Sequence, residues 1–239
     1  MNIINVPKGT QILFVGDIHE HDDQFFSLME NWKPSLERWV VSLGDVCDKG
    51  KGDGAFEKVS HFLQDGHRQG WARAIKGNHE LKRLKNRRHN LKDYDLWWKE
   101  RQISLSFQFY NSNIITCVHA GIPPKLSSDD LKKNLDVCYV RDVDDQGIIP
   151  LIWKHDEINP KLVKAREGGI SWHEIYDGRF GYVISGHNAQ TDGIPKFFNY
   201  SCNIDTGVYE TGILTGQIID ENGKLGETLQ IKGEVFRSK

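Results

Sequence analysis

The stretch Trp39-Val40-Val41-Ser42-Leu43-Gly44-Asp45-Val46-Cys47-Asp48-Lys49-Gly50 decides the fold. Residues 39–43 are a short apolar, β-branched run that reads as a buried strand. A carboxylate at the end of such a strand, in a Gly-flanked turn, sits where open α/β sheets place their ligands. Four other segments end an apolar run in the same way: Gly16-Asp17-Ile18-His19, Gly77-Asn78-His79-Glu80, Val118-His119-Ala120-Gly121 and Ser185-Gly186-His187-Asn188. Alone, Asp17 or Asp45 reads as a turn or cap residue, and His119 or His187 as an ordinary hydrogen-bonded histidine. Recurrence at five strand ends makes Asp17, His19, Asp45, Asn78, His119 and His187 candidate metal ligands, with His79 beside them. Oxygen and imidazole donors without thiolate suit Mn, Fe or Zn better than Ca or a structural zinc site.

Working outward, residues 12–15 form the first buried strand. Residues 23–32 carry Phe25, Phe26, Leu28, Met29 and Trp32 at helical spacing, with Asp22 or Asp23 as N-cap. Residues 55–69 place Phe56, Val59, Phe62 and Leu63 on one helix face, closed by Gly70. Residues 71–75 lead into Gly77-Asn78-His79. Strand alternating with helix implies a parallel sheet at the start. Residues 80–100 turn polar and helical, with a basic run of Lys82, Arg83, Lys85, Arg87, Arg88 and Lys92. It reads either as a solvated helix face or as a surface that guides an anionic substrate. Trp97-Trp98 read as packing. Residues 103–109 and 114–118 form a hairpin through Asn111-Ser112-Asn113. Residues 122–158 are irregular and cover the site, where substrate choice often lies. A short helix at 171–176, a strand at 182–184 and late strands at 202–204, 213–219 and 228–231 suggest a second sheet.

The chain has 239 residues, enough for one domain with a large core, and residues 1–239 are read as a single domain. Charged residues make up 27% and the formal net charge is −2, which argues against stable nucleic-acid binding. Cys47, Cys117, Cys138 and Cys202 form no dense framework, so a reducing, cytoplasmic setting is expected. No signal-peptide pattern and no membrane-length apolar run are present in the sequence.

The order Gly-Asp-x-His, Gly-Asp-x-x-Asp-Lys-Gly, Gly-Asn-His-Glu, His-Ala-Gly and Gly-His resembles the calcineurin-like binuclear metallophosphoesterases, from Asp17 to about Gly216. The resemblance implies two stacked mixed β-sheets flanked by helices, a four-layer α-β-β-α sandwich. It implies that Asp17, His19 and Asp45 hold one divalent ion and that Asp45, Asn78, His119 and His187 hold a second. Mn²⁺ is the first expectation, with Fe or Zn as alternatives. It also implies that His79 is the general acid at the leaving group and that Asp48 fixes it. Two such ions activate the attacking hydroxide and neutralise phosphoryl charge.

Some positions depart from the family pattern. Glu20 stands where a glycine is usual, and Lys49 where an arginine is usual. Lys76 replaces an arginine before Gly-Asn-His-Glu. Lys154, in Ile152-Trp153-Lys154-His155, falls near another phosphate-gripping arginine, and Arg141 is a possible substitute. Lysine offers a compact charge where arginine offers a planar fork. Residues 172–178, Gly186-His187 and 203–207 are similar to bacterial and phage members. These comprise serine/threonine phosphoprotein phosphatases, dinucleoside tetraphosphate hydrolases and polynucleotide phosphatases. The reading is a metal-dependent hydrolase of phosphomonoesters, with phosphoserine or phosphothreonine in a protein, or a small phosphoester, as substrate. Two rivals remain. A dinucleoside polyphosphate hydrolase needs a nucleoside pocket, for which Trp97, Trp98, Tyr139 and Trp153 are candidates. A binding or regulatory module with decayed catalysis is permitted by Lys49 and Glu20 and opposed by the complete ligand set.

Overall fold

The computed structural model describes residues 3–143 and 169–236. The chain runs β1 (Ile3–Asn5), β2 (Gln11–Val15), α1 (Asp22–Trp32), β3 (Arg38–Ser42), α2 (Asp53–Gln69), β4 (Ala72–Ala74), α3 (Asn78–Asn86) and α4 (Asp93–Glu100). It continues through β5 (Ser104–Gln108), β6 (Ile114–Val118), β7 (Asp142–Val143), β8 (Ile170–Ser171), α5 (Trp172–Ile175) and β9 (Tyr182–Ser185). It ends with β10 (Lys196–Phe197), β11 (Ser201–Asn203), α6 (Val208–Thr211), β12 (Ile213–Ile219) and β13 (Leu225–Lys232).

β2 explains the layering. Ile12, Leu13, Phe14 and Val15 are all fully buried, and successive side chains of a strand point to opposite faces. Ile12 and Phe14 join Val41, Phe107, Ile115, Ile184 and Cys202 in a core between two sheets. Leu13 and Val15 join Phe25, Leu28, Trp32, Phe56, Val59 and Leu63 in a core against α1 and α2. Burial on both faces is why the apolar run is continuous and does not alternate.

One sheet has the order β13-β12-β2-β3-β4. Its β2, β3 and β4 are parallel, as the α1 and α2 crossovers require, while β12 runs antiparallel between β2 and β13. The other has the order β1-β5-β6-β9-β11-β10; β5 and β6 form the expected hairpin, and β6, β9 and β11 are parallel. Helices cover the five-stranded sheet. On the outer face of the six-stranded sheet, Val118 and Val183 are covered by Ile122, Leu126, Leu131, Val137, Val140, Trp172 and Tyr176. Among the described residues that layer is mostly irregular chain, with a single-turn 3-10 helix at Leu135–Cys138, the β7–β8 pair and the short α5.

Several expectations are refined. α1 starts at Asp22, and His21 at its cap position makes no side-chain cap. Asp22 is held instead by Lys51 and Lys58, each at 3.0 Å. α2 closes at Gly70, whose φ of 94° is readily available to glycine. Trp97 and Trp98 are core residues and offer no stacking platform: Trp98 lies over Phe56, and its Nε1 donates to Ser60 Oγ at 2.8 Å. Among the described residues, no helix is long and apolar enough to cross a membrane.

Candidate active site

The C-terminal ends of β2, β3 and β4 meet those of β6, β9 and β11. The backbones approach closely there: a Cβ on Gly44 would lie 2.3 Å from Gly77 N, and Gly44 has φ +90°. Only glycine fits this crossing of the turns after β3 and β4.

Asp45 is central. Its Oδ2 lies 3.3 Å from His119 Nε2, 3.8 Å from His79 Nε2 and 3.9 Å from His19 Nε2. Its Oδ1 accepts the His79 backbone N–H at 2.9 Å. Two groups of ligand atoms gather within 4.8 Å, namely His19, Asp45 and His79, and Asp45, His119 and His187. Asp17 Oδ2 is 3.8 Å from His19 Nε2, and Asn78 Oδ1 is 2.9 Å from His119 Nε2. All six expected ligand residues therefore converge, and His79 joins the group around His19.

The imidazoles are held by backbone carbonyls. His19 Nδ1 bonds Cys47 O at 3.1 Å, and His119 Nδ1 bonds Leu43 O at 2.9 Å. A carbonyl can only accept, so both Nδ1 atoms carry a proton and both rings turn Nε2 toward the cluster. This second-sphere arrangement suits a metal ion. His79 Nδ1 lies 2.8 Å from Asp48 Oδ2.

Backbone strain collects here too. His19, Glu20, Asp45, Asp48, Lys49 and His187 all have φ between +45° and +69°. Such residues persist only where the surroundings over-determine them. Two buried glutamates provide that support. Glu80, the third residue of α3, reaches back to its own helix start at Gly77 N (2.9 Å) and also accepts from the N–H groups of Asp45 (2.8 Å), Val46 (2.8 Å) and Cys47 (3.2 Å). Glu20 accepts from Asp48 N at 2.9 Å through Oε1, and from Gly50 N at 3.2 Å and Gly52 N at 2.9 Å through Oε2.

The cluster's charges are interdependent. Burial pushes Asp17 well above the usual carboxylate range, helped by Asp205 and Asp45. Burial also works against the Asp45 carboxylate, but His119, His79 and His19 outweigh it and hold Asp45 well below that range. Burial opposes a charged His119, yet Asp45 and Asp17 raise it to about 10. Burial, Lys49 and His79 lower His19 to about 3. The carboxylates that hold a proton on His119 would favour a divalent cation in its place.

The expected anion contacts divide. Lys49 Nζ lies 3.3 Å from His19 Nε2 and 4.0 Å from the Tyr209 ring centroid, so it reaches the cluster. Arg141 Nε donates to His187 Nε2 at 3.1 Å. Lys76 does not come in: its Nζ donates to Lys99 O at 3.0 Å, away from the cluster. Lys154 lies outside the described residues, as do Trp153 and His155. Tyr209 was not foreseen; its ring packs edge-on against His19, centroids 5.1 Å apart. Nothing local distinguished it from a packing tyrosine. Asp205 caps its own turn by accepting Gly207 N at 2.9 Å, as a turn residue does.

A sequence model of the family described as calcineurin-like phosphoesterase matches residues 10–190. Solved structures share the fold. One, described as a proposed diadenosine tetraphosphatase, is 18% identical, covers 98% of both chains and has a TM-score of 0.69. A protein serine/threonine phosphatase from Saccharomyces cerevisiae, with similarity to human phosphatase PP5, is 13% identical, covers 98% of this chain and 84% of that one, and has a TM-score of 0.66. A cold-active protein-tyrosine phosphatase of a psychrophilic Shewanella species is 16% identical, covers 96% and 82%, and has a TM-score of 0.51. No curated protein matches the chain in sequence.

Proposed function

The chain belongs to the calcineurin-like phosphoesterase family and is a metallophosphoesterase; from that premise we propose that its single domain hydrolyses phosphomonoesters, with phosphoserine or phosphothreonine as substrate. The observation that carries this reading is the His79–Asp48 pair at 2.8 Å, set beside the carboxylate common to both ligand groups. Asp17, His19 and Asp45 hold one ion in this reading, and Asp45, Asn78, His119 and His187 the other. Mn²⁺ is the proposed metal. The ions supply an activated water and neutralise the phosphoryl oxygens when bound.

The chain's own groups do the rest. Burial and the His19 and His119 carbonyl bonds keep the cradle in place before substrate arrives. Asp48, lowered by its hydrogen bond to His79 against partial burial, keeps Nδ1–H pinned and leaves His79 Nε2 facing inward. From there His79, with a proton on each ring nitrogen, gives the Nε2 proton to the departing oxygen and keeps the one on Nδ1. Lys49 and Arg141 meet the anionic oxygens; Lys49 exchanges its contact with His19 for one with substrate.

A leaving alkoxide needs that proton, and nitrophenolate does not. His79→Asn is expected to lower kcat on a phosphoserine peptide by ~10²–10⁴, with a much smaller loss on p-nitrophenyl phosphate and metal content unchanged. Equal losses on the two substrates would remove the general-acid role. Diadenosine tetraphosphate in the same assay tests the other reading, suggested by one structural relative. Turnover of it without turnover of phosphopeptide overturns the substrate proposed here. The buried positions of Trp97 and Trp98 remove two of the four aromatic candidates for a nucleoside pocket.

A further inference from the structure

We propose that Glu20 is a positioning residue, which holds Asp48 and Lys49 at the site without touching substrate or metal. Its side chain is buried and takes alternate amides of one turn: Asp48 N–H on Oε1, Gly50 and Gly52 N–H on Oε2. The backbone closes the same arrangement, with Glu20 N–H on Val46 O at 2.8 Å and Lys51 N–H on Glu20 O at 3.4 Å. Lys49 therefore sits between two anchored amides.

The turn needs this support. Asp48 and Lys49 stand consecutively at φ +66° and +69°, which non-glycine residues rarely adopt. Residues 44–52 belong to no strand or helix, so no ladder bonds hold them. The turn also packs directly on its anchor: a Cβ on Gly50 would lie 2.1 Å from His19 O and 2.8 Å from Glu20 Cβ. Two side chains at the site depend on this one turn. Asp48 reaches His79, and Lys49 reaches His19. Glu20 itself stands at φ +61°, a conformation glycine takes without strain. Glu20→Gly therefore removes the two acceptor oxygens and their three hydrogen bonds while relieving backbone strain, and any loss it causes belongs to those bonds. Glu20→Gln keeps the shape and one oxygen, but sets an amide N–H₂ against at least one N–H donor.

The kinetic part of this proposal rests on the function proposed above; the positioning part does not. The test compares wild type, Glu20→Gly, Glu20→Gln, Asp48→Asn and the Glu20→Gln/Asp48→Asn double variant, each with Mn²⁺ added. Metal content is expected to stay as in wild type. Hydrogen exchange of the amides of Asp48, Gly50 and Gly52 is expected to quicken by about tenfold or more in both Glu20 variants, because local opening is easier. The kcat on a phosphoserine peptide is expected to fall by about tenfold, with a smaller fall on p-nitrophenyl phosphate, and Glu20→Gln to add little to Asp48→Asn, since coupled residues are not additive. Unchanged exchange in Glu20→Gly overturns the positioning role. An equal loss on the two substrates that adds fully to Asp48→Asn does so as well. A wild type that hydrolyses neither substrate refutes the proposed function, while the exchange measurement still judges Glu20.

Discussion

The turn after β3 and the turn after β9 both deliver groups to the same cluster, but they are held differently. After β3, Asp45 and Asp48 face the site while two other residues, Glu80 and Glu20, accept six of the turn's backbone N–H groups from behind. After β9, the His187 backbone N–H goes to Asp17, at 3.1 Å and 3.2 Å from its two carboxyl oxygens, and Asp17 is itself a proposed ligand. One side separates holding the backbone from holding the metal. The other gives both tasks to one carboxylate. A substitution on the first side should loosen geometry by degrees, and on the second should fail at once.

The sharpest break is Asp17→Ala. It removes a proposed ligand and the acceptor for His187 together, so turnover should fall to background and excess Mn²⁺ should not restore it. Activity measured across a Mn²⁺ titration checks this, and recovery at high metal would dissolve the contrast. Glu80→Gln comes next. It keeps every proposed ligand but turns an N–H₂ toward the amides of Asp45 and Gly77. Leaving buried donors unpaired should lower stability by on the order of 3 kcal/mol, read by urea unfolding. Mn²⁺ should bind about 10–100-fold more weakly, and here excess Mn²⁺ should restore most activity. The smallest effect belongs to Lys49→Ala, which leaves both turns intact. Loss of a charge-assisted contact should weaken inhibition by inorganic phosphate by about tenfold, while Lys49→Arg should keep or improve it. Unchanged inhibition in Lys49→Ala would show that this ammonium stays with Tyr209.

The proposed ligands were legible because buried parallel strands write continuous apolar runs, and each run here ends in Asp, Asn or His. The expected runs 12–15, 39–43, 114–118 and 182–184 reappear, shifted by at most one residue, as β2, β3, β6 and β9. β1, three partly exposed residues at a sheet edge, carries no such pattern. Neither do the two-residue strands β7, β8 and β10. The supporting shell was also hidden. Glu20 bonds amides 28 to 32 positions away and Glu80 amides up to 35 away, and no local period reports contacts of that range. In sequence Glu20 looks like a lost glycine; in the structure it anchors the turn. Lys76 failed for the complementary reason: its position was right, but a long side chain found a nearer carbonyl on α4.

The place of β12 bears on how the chain folds during synthesis. This strand lies between β2 and β13, and its residues 216–219 pair with residues 12–15. Until those residues leave the ribosome, β2 has β3 on one side and an open edge on the other. An open apolar edge invites pairing with a second chain. A nascent chain that already includes every proposed ligand, from Asp17 to His187, still lacks the strand that closes this sheet. The finished site thus waits on residues that contribute nothing to its chemistry, and fragments ending before residue 213 should aggregate even with all ligands present.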